Sequence, residues 1–504
     1  MKRYLYIILS ALPFMAMSQN MYNITGLLDN APAGTARFVG MGGSMGALGA
    51  DVSVIGVNPA GTAVYRSTDF SLTGNADYVE NQAKRGSHAE RTKYSGASFN
   101  NFGFVAALET KLSSLKFLNI GFSYNKRASS TGNFRAVADA EGYSQQYVIQ
   151  KLYDDNAFDM NGITSSMFQE FSANWLAMLA VKGGLFDDKA ELLYIPERYE
   201  YYSELRGGVN DINFNLSANL NDRIYLGATV GCYFADYSRY SLFYEVDNEG
   251  DKYSLENNYR LEGKGVDFKL GAIFRPFEYS PFKVGLAVHT PIFYDLVDVS
   301  SANIEGPEFN MYDTREKSAY GDNLYSGYSL TTPWRINASM AYTIGGSVAL
   351  NAEYEFADAS STSFSQVSEV GKAQNEEIRY NLRPQHTVRV GAEFFIKNCA
   401  LRAGYNYISA PFNKTAYKNM DNATIAETST EFMNSYGKNI ATFGIGYAGK
   451  YFYADAAYMV QMQKSDFYPY LDYYYDDNDS YYENRPVEVN TIKHSIMATI
   501  GVRF

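Results

Sequence analysis

From Asn213 to Phe234 the chain reads NFNLSANLNDRIYLGATVGCYF. Phe214, Leu216, Ala218 and Leu220 alternate with Asn213, Asn215, Ser217 and Asn219. After a turn at Asn221-Asp222, Ile224, Leu226, Ala228, Val230, Cys232 and Phe234 alternate with Arg223, Tyr225, Gly227, Thr229, Gly231 and Tyr233. Successive side chains of a strand point to opposite faces, so this period of two describes a sheet with one face in an apolar medium. The period recurs from Trp334 (Ile336, Ala338, Met340, Tyr342, Ile344), from His386 (Val388, Val390, Ala392, Phe394) and from Phe452 (Ala454, Ala456, Tyr458, Val460). Alternation by itself leaves open whether the medium is lipid or a soluble core.

The connections resolve that ambiguity. Short turns fall near Lys111–Ser114, Asn221-Asp222, Tyr279–Pro281, Gly345-Gly346, Lys397–Cys399 and Gly449-Lys450. Between them lie long polar stretches at 79–92, 127–206, 238–257, 294–331, 358–376, 409–438 and 469–487. Short and long connections alternate throughout, as the periplasmic turns and extracellular loops of a membrane barrel do. The division gives fourteen strands, roughly 66–78, 93–107, 115–126, 207–220, 223–237, 258–276, 282–293, 332–344, 347–357, 377–396, 399–408, 439–448, 450–468 and 488–504. An even number suits a closed single-chain barrel. The expected fold is all-β, a transmembrane antiparallel β-barrel of fourteen strands, and the expected location is the outer membrane of a Gram-negative cell.

Both termini agree with export to that membrane. Lys2 and Arg3, an apolar run from Tyr4 to Phe14 and the small residues Ala16 and Ser18 predict a signal peptide over 1–18. At the other end Ile496, Ala498, Ile500, Val502 and the terminal Phe504 share one face. A final strand closing on an aromatic residue resembles the signal read by the barrel-assembly machinery. No run of eighteen apolar residues follows the signal, so spanning helices are not expected. Aromatic residues make up 16% of the chain and suit two interfacial girdles against outer-membrane lipid and lipopolysaccharide.

Composition also narrows the chemistry. A net charge of −12 argues against a nucleic-acid partner. His88, His289, His386 and His494 show no zinc spacing, and Cys232 and Cys399 fall inside predicted strands as small apolar residues. No nucleophile stands with a recognisable base, so neither an enzyme nor a resident cofactor is expected. Asp472, Asp476, Asp477, Asp479 and Glu483 form an acidic, Tyr-rich loop that reads as a solvated surface or, less simply, as carboxylates for calcium. Within the large loop 127–206, Ser166–Ala180 carries Phe168, Phe171, Trp175, Leu176 and Leu179 at helical spacing. That helix either caps the barrel or frames a groove for an apolar ligand.

The mature chain does not open with a strand. Six glycines between positions 40 and 56, Gly40, Gly42 and Gly43 among them, are costly in a lipid-facing strand and suit a compact segment that turns often. Residues 19–64 are therefore expected in the periplasm or inside a polar lumen, in front of a barrel at 65–504. Charged residues on the polar face of predicted strands, including Arg335, Arg389, Glu393 and Arg402 with Glu353, Glu355, Asp455 and Arg503, are expected to pair across that lumen. Alternatively, one of the arginines receives a ligand carboxylate.

The run from Ala36 to Gly43, Ala50-Asp51 and Asn58-Pro59-Ala60-Gly61 resembles the start of the FadL/TodX family of outer-membrane transporters for fatty acids and aromatic hydrocarbons. Further likenesses lie at Phe274–Pro276, Val284–Pro291, Thr332–Asn337, His386–Glu393 and Leu401–Tyr405. The resemblance implies a fourteen-stranded barrel with an N-terminal hatch in its lumen, Asn58, Pro59 and Ala60 matching the hatch motif. It also implies passive transport of small hydrophobic ligands, which leave when the hatch shifts or through a lateral gap in the wall. The composition resembles Bacteroidetes members, some of which serve secretion, so the alternative is a barrel that binds a surface or secretion partner protein.

Overall fold

A computed structural model describes the chain except residues 1–19, 130, 142–143, 157–172, 187–195, 249, 251, 307–310, 314–323, 365–368, 421–425, 476–479 and 483. The predicted signal peptide therefore lies outside the described residues. The wall begins with β1 (Asp69–Arg85), β2 (His88–Glu109), β3 (Leu115–Ser129, continued by Gly132–Asp139), β4 (Arg198–Leu220), β5 (Ile224–Val246) and β6 (Lys252–Phe274). Then come β7 (Lys283–His289, continued by Phe293–Glu305), β8 (Leu324–Thr331, continued by Arg335–Ile344), β9 (Val348–Asp358) and β10 (Pro384–Ile396). The circuit ends with β11 (Cys399–Ile408), β12 (Phe432–Ala448), β13 (Phe452–Tyr468) and β14 (Val487–Arg503). Each wall strand pairs antiparallel with its neighbours, and β14 returns to β1 with Arg503 opposite Asp69. Fourteen strands thus close the sheet into a barrel.

Lipid-facing and lumen-facing residues alternate as the sequence predicts. Leu216, Leu270, Leu286, Ile336, Ile445 and Ile496 are exposed on the outside, whereas Ser217, Lys269, Asn337, Thr442 and Ser495 are buried inside. An apolar band this continuous around a wall belongs in a bilayer, because water would leave it uncovered. Above the band the outward row changes character: Phe234 is followed on β5 by Asp236, and Val266 is preceded on β6 by Lys264, Glu262 and Arg260. The upper parts of β4 to β6 therefore stand clear of the membrane.

That projection corrects several predicted boundaries. Residues 79–92 form no long loop, because β1 and β2 stay paired up to Arg85 opposite His88 and turn at Gly86 with a φ of +55°. Likewise 238–257 is mostly strand, with Val246 opposite Lys252, and 294–331 contains the upper halves of β7 and β8. Beyond the bilayer the outer face turns polar, so the alternation that marks a strand disappears there. The strand predicted over 377–396 starts later: Glu369–Asn381 is a helix that buries Gln374, Ile378 and Asn381, and β10 begins at Pro384. Strand β12 begins at Phe432, before the predicted 439.

Two adjacent strands break at the same height. Pro291 and Pro333 carry no N–H for the ladder. Thr290 N donates to Phe268 O at 2.9 Å, Ile292 N to Thr332 Oγ1 at 2.8 Å, and Thr332 N to Ile292 O at 3.1 Å, so the breaks are stitched across each other.

Over the extracellular mouth sits a packed core. Helices Gln145–Asn156 and Trp175–Lys182 bury Ile149, Leu176 and Leu179 among Tyr199, Phe243 and Tyr470. The second helix starts at Trp175, where Asn174 accepts from Leu176 N and Ala177 N as the N-cap. The single helix predicted over Ser166–Ala180 therefore does not run unbroken into this one, and Phe168 and Phe171 lie outside the described residues. Trp175, Leu176 and Leu179 are buried in the cap, in one core with Tyr199, Phe243 and Leu255 of the projecting strands β4, β5 and β6.

Candidate functional site: the lumen and its N-terminal segment

The segment before β1 folds inside the barrel as a chain of short turns. It begins high in the lumen, where the Asn20 side chain donates to Glu427 at 2.6 Å in the connection between β11 and β12. It descends past Asp29, paired with Lys438 at 2.9 Å, to a short helix at Ala36–Gly40 capped by Thr35. Gly42 and Gly43 leave that helix at φ +67° and +72°, a left-handed turn that a side chain would resist. A short 3-10 helix at Pro59–Val64, capped by Asn58 accepting from Ala60 N at 3.1 Å, then leads to the first strand.

Buried ion pairs bind this segment to the wall. Arg37 makes two contacts with Glu393, at 3.0 and 2.9 Å, and Arg402 shares that carboxylate at 2.7 Å while holding Asp455 at 2.6 Å. Arg389 lies 2.8 Å from Glu353 and 3.3 Å from Glu355. Glu353 in turn accepts Gly46 N at 3.0 Å, and Glu355 accepts the side chain of Asn30. Arg335 contacts Asp267 at 3.8 Å and Glu355 at 4.0 Å. Arg335, Arg389, Glu393 and Arg402 thus all face the lumen, and each is engaged in an internal ion pair. Desolvation makes such groups expensive when single, so each pair holds its partner in place.

The hatch candidates are likewise brought against the wall. Pro59 O accepts from Asn215, Thr62 donates to Asn215 Oδ1 at 2.6 Å and lies 2.8 Å from the Ser217 hydroxyl, and Val57 O meets His289 at 2.8 Å. Sequence reasoning missed the wall residues that make this docking fit, namely lumen-facing glycines. A side chain at Gly227 would collide with Pro59, at Gly391 with Met41, and at Gly404 with Gly42. Glycine recurring on the polar phase of strands was the available signal, since it leaves room for another backbone.

Above the helix at Ala36–Gly40 and beside residues 22–33 lies a cavity of about 470 Å³, within the range of pockets that take drug-sized ligands. Tyr22, Tyr201, Tyr237, Tyr259 and Phe412 supply aromatic surface. Asn75, Asp77, Gln461, Thr491 and Lys493 supply a polar wall from β1, β13 and β14. Phe134, Tyr201 and Phe467 belong both to the lining and to the extracellular core, so that core is the cavity's roof.

Beside the cavity the wall is unzipped. Pairing between β2 and β3 stops at Asn101 opposite Asn125, and from Asn100 to His88 strand β2 pairs only with β1. Above that point β3 bends inward, and Asn133 O on its continuation accepts from Asn81 at 2.8 Å and Thr92 at 2.5 Å. Lys126 lies on the outward phase with Phe122 and Tyr124, yet it lines the cavity because β2 no longer covers it. At the foot of the gap the bulged Asn100 donates to Gly34 O at 2.7 Å, which joins gap and N-terminal segment.

No protein-family model and no curated protein matches the sequence. Among solved structures, a FadL homologue of Pseudomonas aeruginosa matches with a TM-score of 0.55 at 12% identity, over 94% of this chain and 99% of that one. The fold is that of the FadL and TodX transporters. The P. putida toluene transporter TodX matches at a TM-score of 0.53, 11% identity and coverage of 94% and 99%. The Ralstonia pickettii toluene transporter TbuX matches at 0.51, 12% identity and coverage of 95% and 100%. At these identities the shared property is the FadL-type barrel itself, and the lining is this chain's own.

Proposed function

We propose that the barrel passively carries small, largely apolar molecules across the outer membrane, and that the segment at 20–64 is the hatch that gates them. The observation that carries this reading is a ligand-sized cavity between a packed roof and a docked N-terminal segment, beside a wall whose strands have parted. Apolar molecules bind there by losing wetted surface and travel down their gradient without an energy source. The Asn100 contact with Gly34 supports a coupling in which hatch movement changes the lateral gap.

A disulfide lock tests the gate. Asn351 Nδ2 donates to Ser44 Oγ at 2.7 Å, so Ser44→Cys with Asn351→Cys, in a background without Cys232 and Cys399, places two thiols within reach. Uptake of radiolabelled palmitate into proteoliposomes should fall at least ten-fold on oxidation and return on reduction. Unchanged uptake in the oxidised protein sinks hatch gating. The extracellular core and projecting strands favour a second reading, a barrel that binds a partner protein, and a stoichiometric protein co-purifying from the native membrane would support it.

A further inference from the structure

The cavity lining is more polar than a hydrocarbon needs. Five cations border it, Lys126, Arg127, Arg239, Lys438 and Lys493, against three carboxylates, Asp29, Asp77 and Glu431. Some of these groups answer one another: Lys438 pairs with Asp29 at 2.9 Å, Lys493 with Asp77 at 3.2 Å, and Thr491 donates to Asn81 at 2.7 Å. Others have no charged partner. Lys126 lines the cavity without an ion-pair partner among the described residues, Asn75 lines it with its Oδ1 occluded and unpartnered, and Arg127 turns to the Tyr233 hydroxyl at 3.3 Å. Among the described residues the Gln461 side chain makes only a 3.7 Å contact to the Met459 sulfur.

Asn75, Lys126 and Gln461 sit on β1, β3 and β13, whereas Tyr201, Tyr237, Tyr259 and Tyr22 come from β4 to β6 and the N-terminal segment, with Arg239 over the Tyr259 ring and Glu431 accepting from Tyr201 on that side. A hydrocarbon resting here would strip water from Lys126 and Gln461 without replacing its hydrogen bonds, and buried polar groups left so are costly. A ligand with oxygens along one side would satisfy them while its other side covers the tyrosines. The excess of cations selects an anion.

Resting on the transport reading above, we infer that the cavity takes a two-faced amphipathic acid, apolar on one side and bearing several hydroxyl or carboxylate oxygens on the other. The polar side lies against Asn75, Lys126 and Gln461, and the apolar side against Tyr201, Tyr237 and Tyr259. A linear fatty acid, with one polar end only, leaves part of the polar wall unmatched and binds more weakly.

The test compares two carboxylates, so that charge is held constant. Cholate carries its hydroxyls on one face of a rigid hydrocarbon body, and palmitate carries none. Binding of each to the full-length protein in detergent is measured by calorimetry and native mass spectrometry. Cholate should bind at least ten-fold more tightly. Asn75→Leu with Gln461→Leu should lower cholate affinity at least ten-fold and leave palmitate unchanged or improved, and Lys126→Gln alone should weaken cholate more than palmitate. Folding of each variant is checked by its heat-modifiable gel mobility. Palmitate binding as tightly as cholate to the unmodified protein overturns this inference and leaves the transport reading standing. Equal losses for both ligands in the variants overturn it as well. Binding of neither ligand overturns this inference too, while the transport reading is decided by the disulfide lock.

Discussion

Replacing Glu393 by Gln should undock the N-terminal segment while leaving the barrel intact. Glu393 is 1% exposed and receives three charged contacts, two from Arg37 and one from Arg402. The amide keeps the shape but turns an NH2 toward guanidinium donors. Arg402 retains Asp455 at 2.6 Å, so the loss falls on Arg37, which keeps only its bond to Ala50 O, also 2.6 Å. Removing one partner of a buried ion pair costs about 3–5 kcal/mol. Arg37 is 17% exposed and regains some water, so the lower end applies, about 3 kcal/mol. At 1.4 kcal/mol per decade that is roughly a 100-fold rise in the open population of the segment. Hydrogen exchange followed by mass spectrometry reads it directly: amides at 36–64 should exchange roughly 100-fold faster, and those of β5, β6 and β13 should not change. Exchange at 36–64 within three-fold of the unmodified protein would refute the idea that this carboxylate holds the segment.

Two further outcomes probe the membrane placement and the extracellular cap. Trp334 is 56% exposed on the lipid side and Trp175 is buried in the cap, so brominated phosphatidylcholine should quench the emission of Trp334 only, and Trp334→Phe should abolish quenching; unquenched emission from the unmodified protein would remove Trp334 from the bilayer. Outside the membrane, burial pushes the Glu245 carboxyl up to about 7, although it accepts Gln145 N at 2.8 Å and Gln146 Nε2 at 3.1 Å. A carboxyl raised in the folded state contributes its stability below the unfolded value of 4.5 and loses it as pH rises through about 7. Exchange at 145–156, corrected for intrinsic rates, should therefore be slower at pH 5 than at pH 8, and Glu245→Gln should flatten the difference; an equal pH response in the variant would assign the effect elsewhere.

The lipid-facing half of the molecule was legible because it is a local property. Each strand shows its own two-residue period, and from Ile224 to Phe234 or from Ile336 to Ile344 that pattern alone says which side meets lipid. The rhythm of short and long connections supplied the number of strands for the same reason, since a tight turn such as Asn221-Asp222 needs only neighbouring residues. Ends were less legible wherever strands left the bilayer, because Arg260, Glu262 and Lys264 on an outward face look like loop residues. Helix Glu369–Asn381 was read partly as strand for want of a clear period in a polar stretch.

The lumenal half depended on closure. Sequence placed Arg389, Glu393 and Arg402 on the inner face, but it could not choose their partners, which lie up to hundreds of residues away, as Arg37 does from Glu393. The partners follow from barrel register and from the path of the N-terminal segment, quantities that no local window contains. The same holds for the cavity, the inward bend of β3, the break between β2 and β3, and the glycines that admit a second backbone. Sequence by itself determined which face of each strand meets lipid, because one strand suffices to express a period of two. Only the tertiary structure decided what the other face encloses, because an enclosed space exists only when all fourteen strands and the segment inside them are brought together.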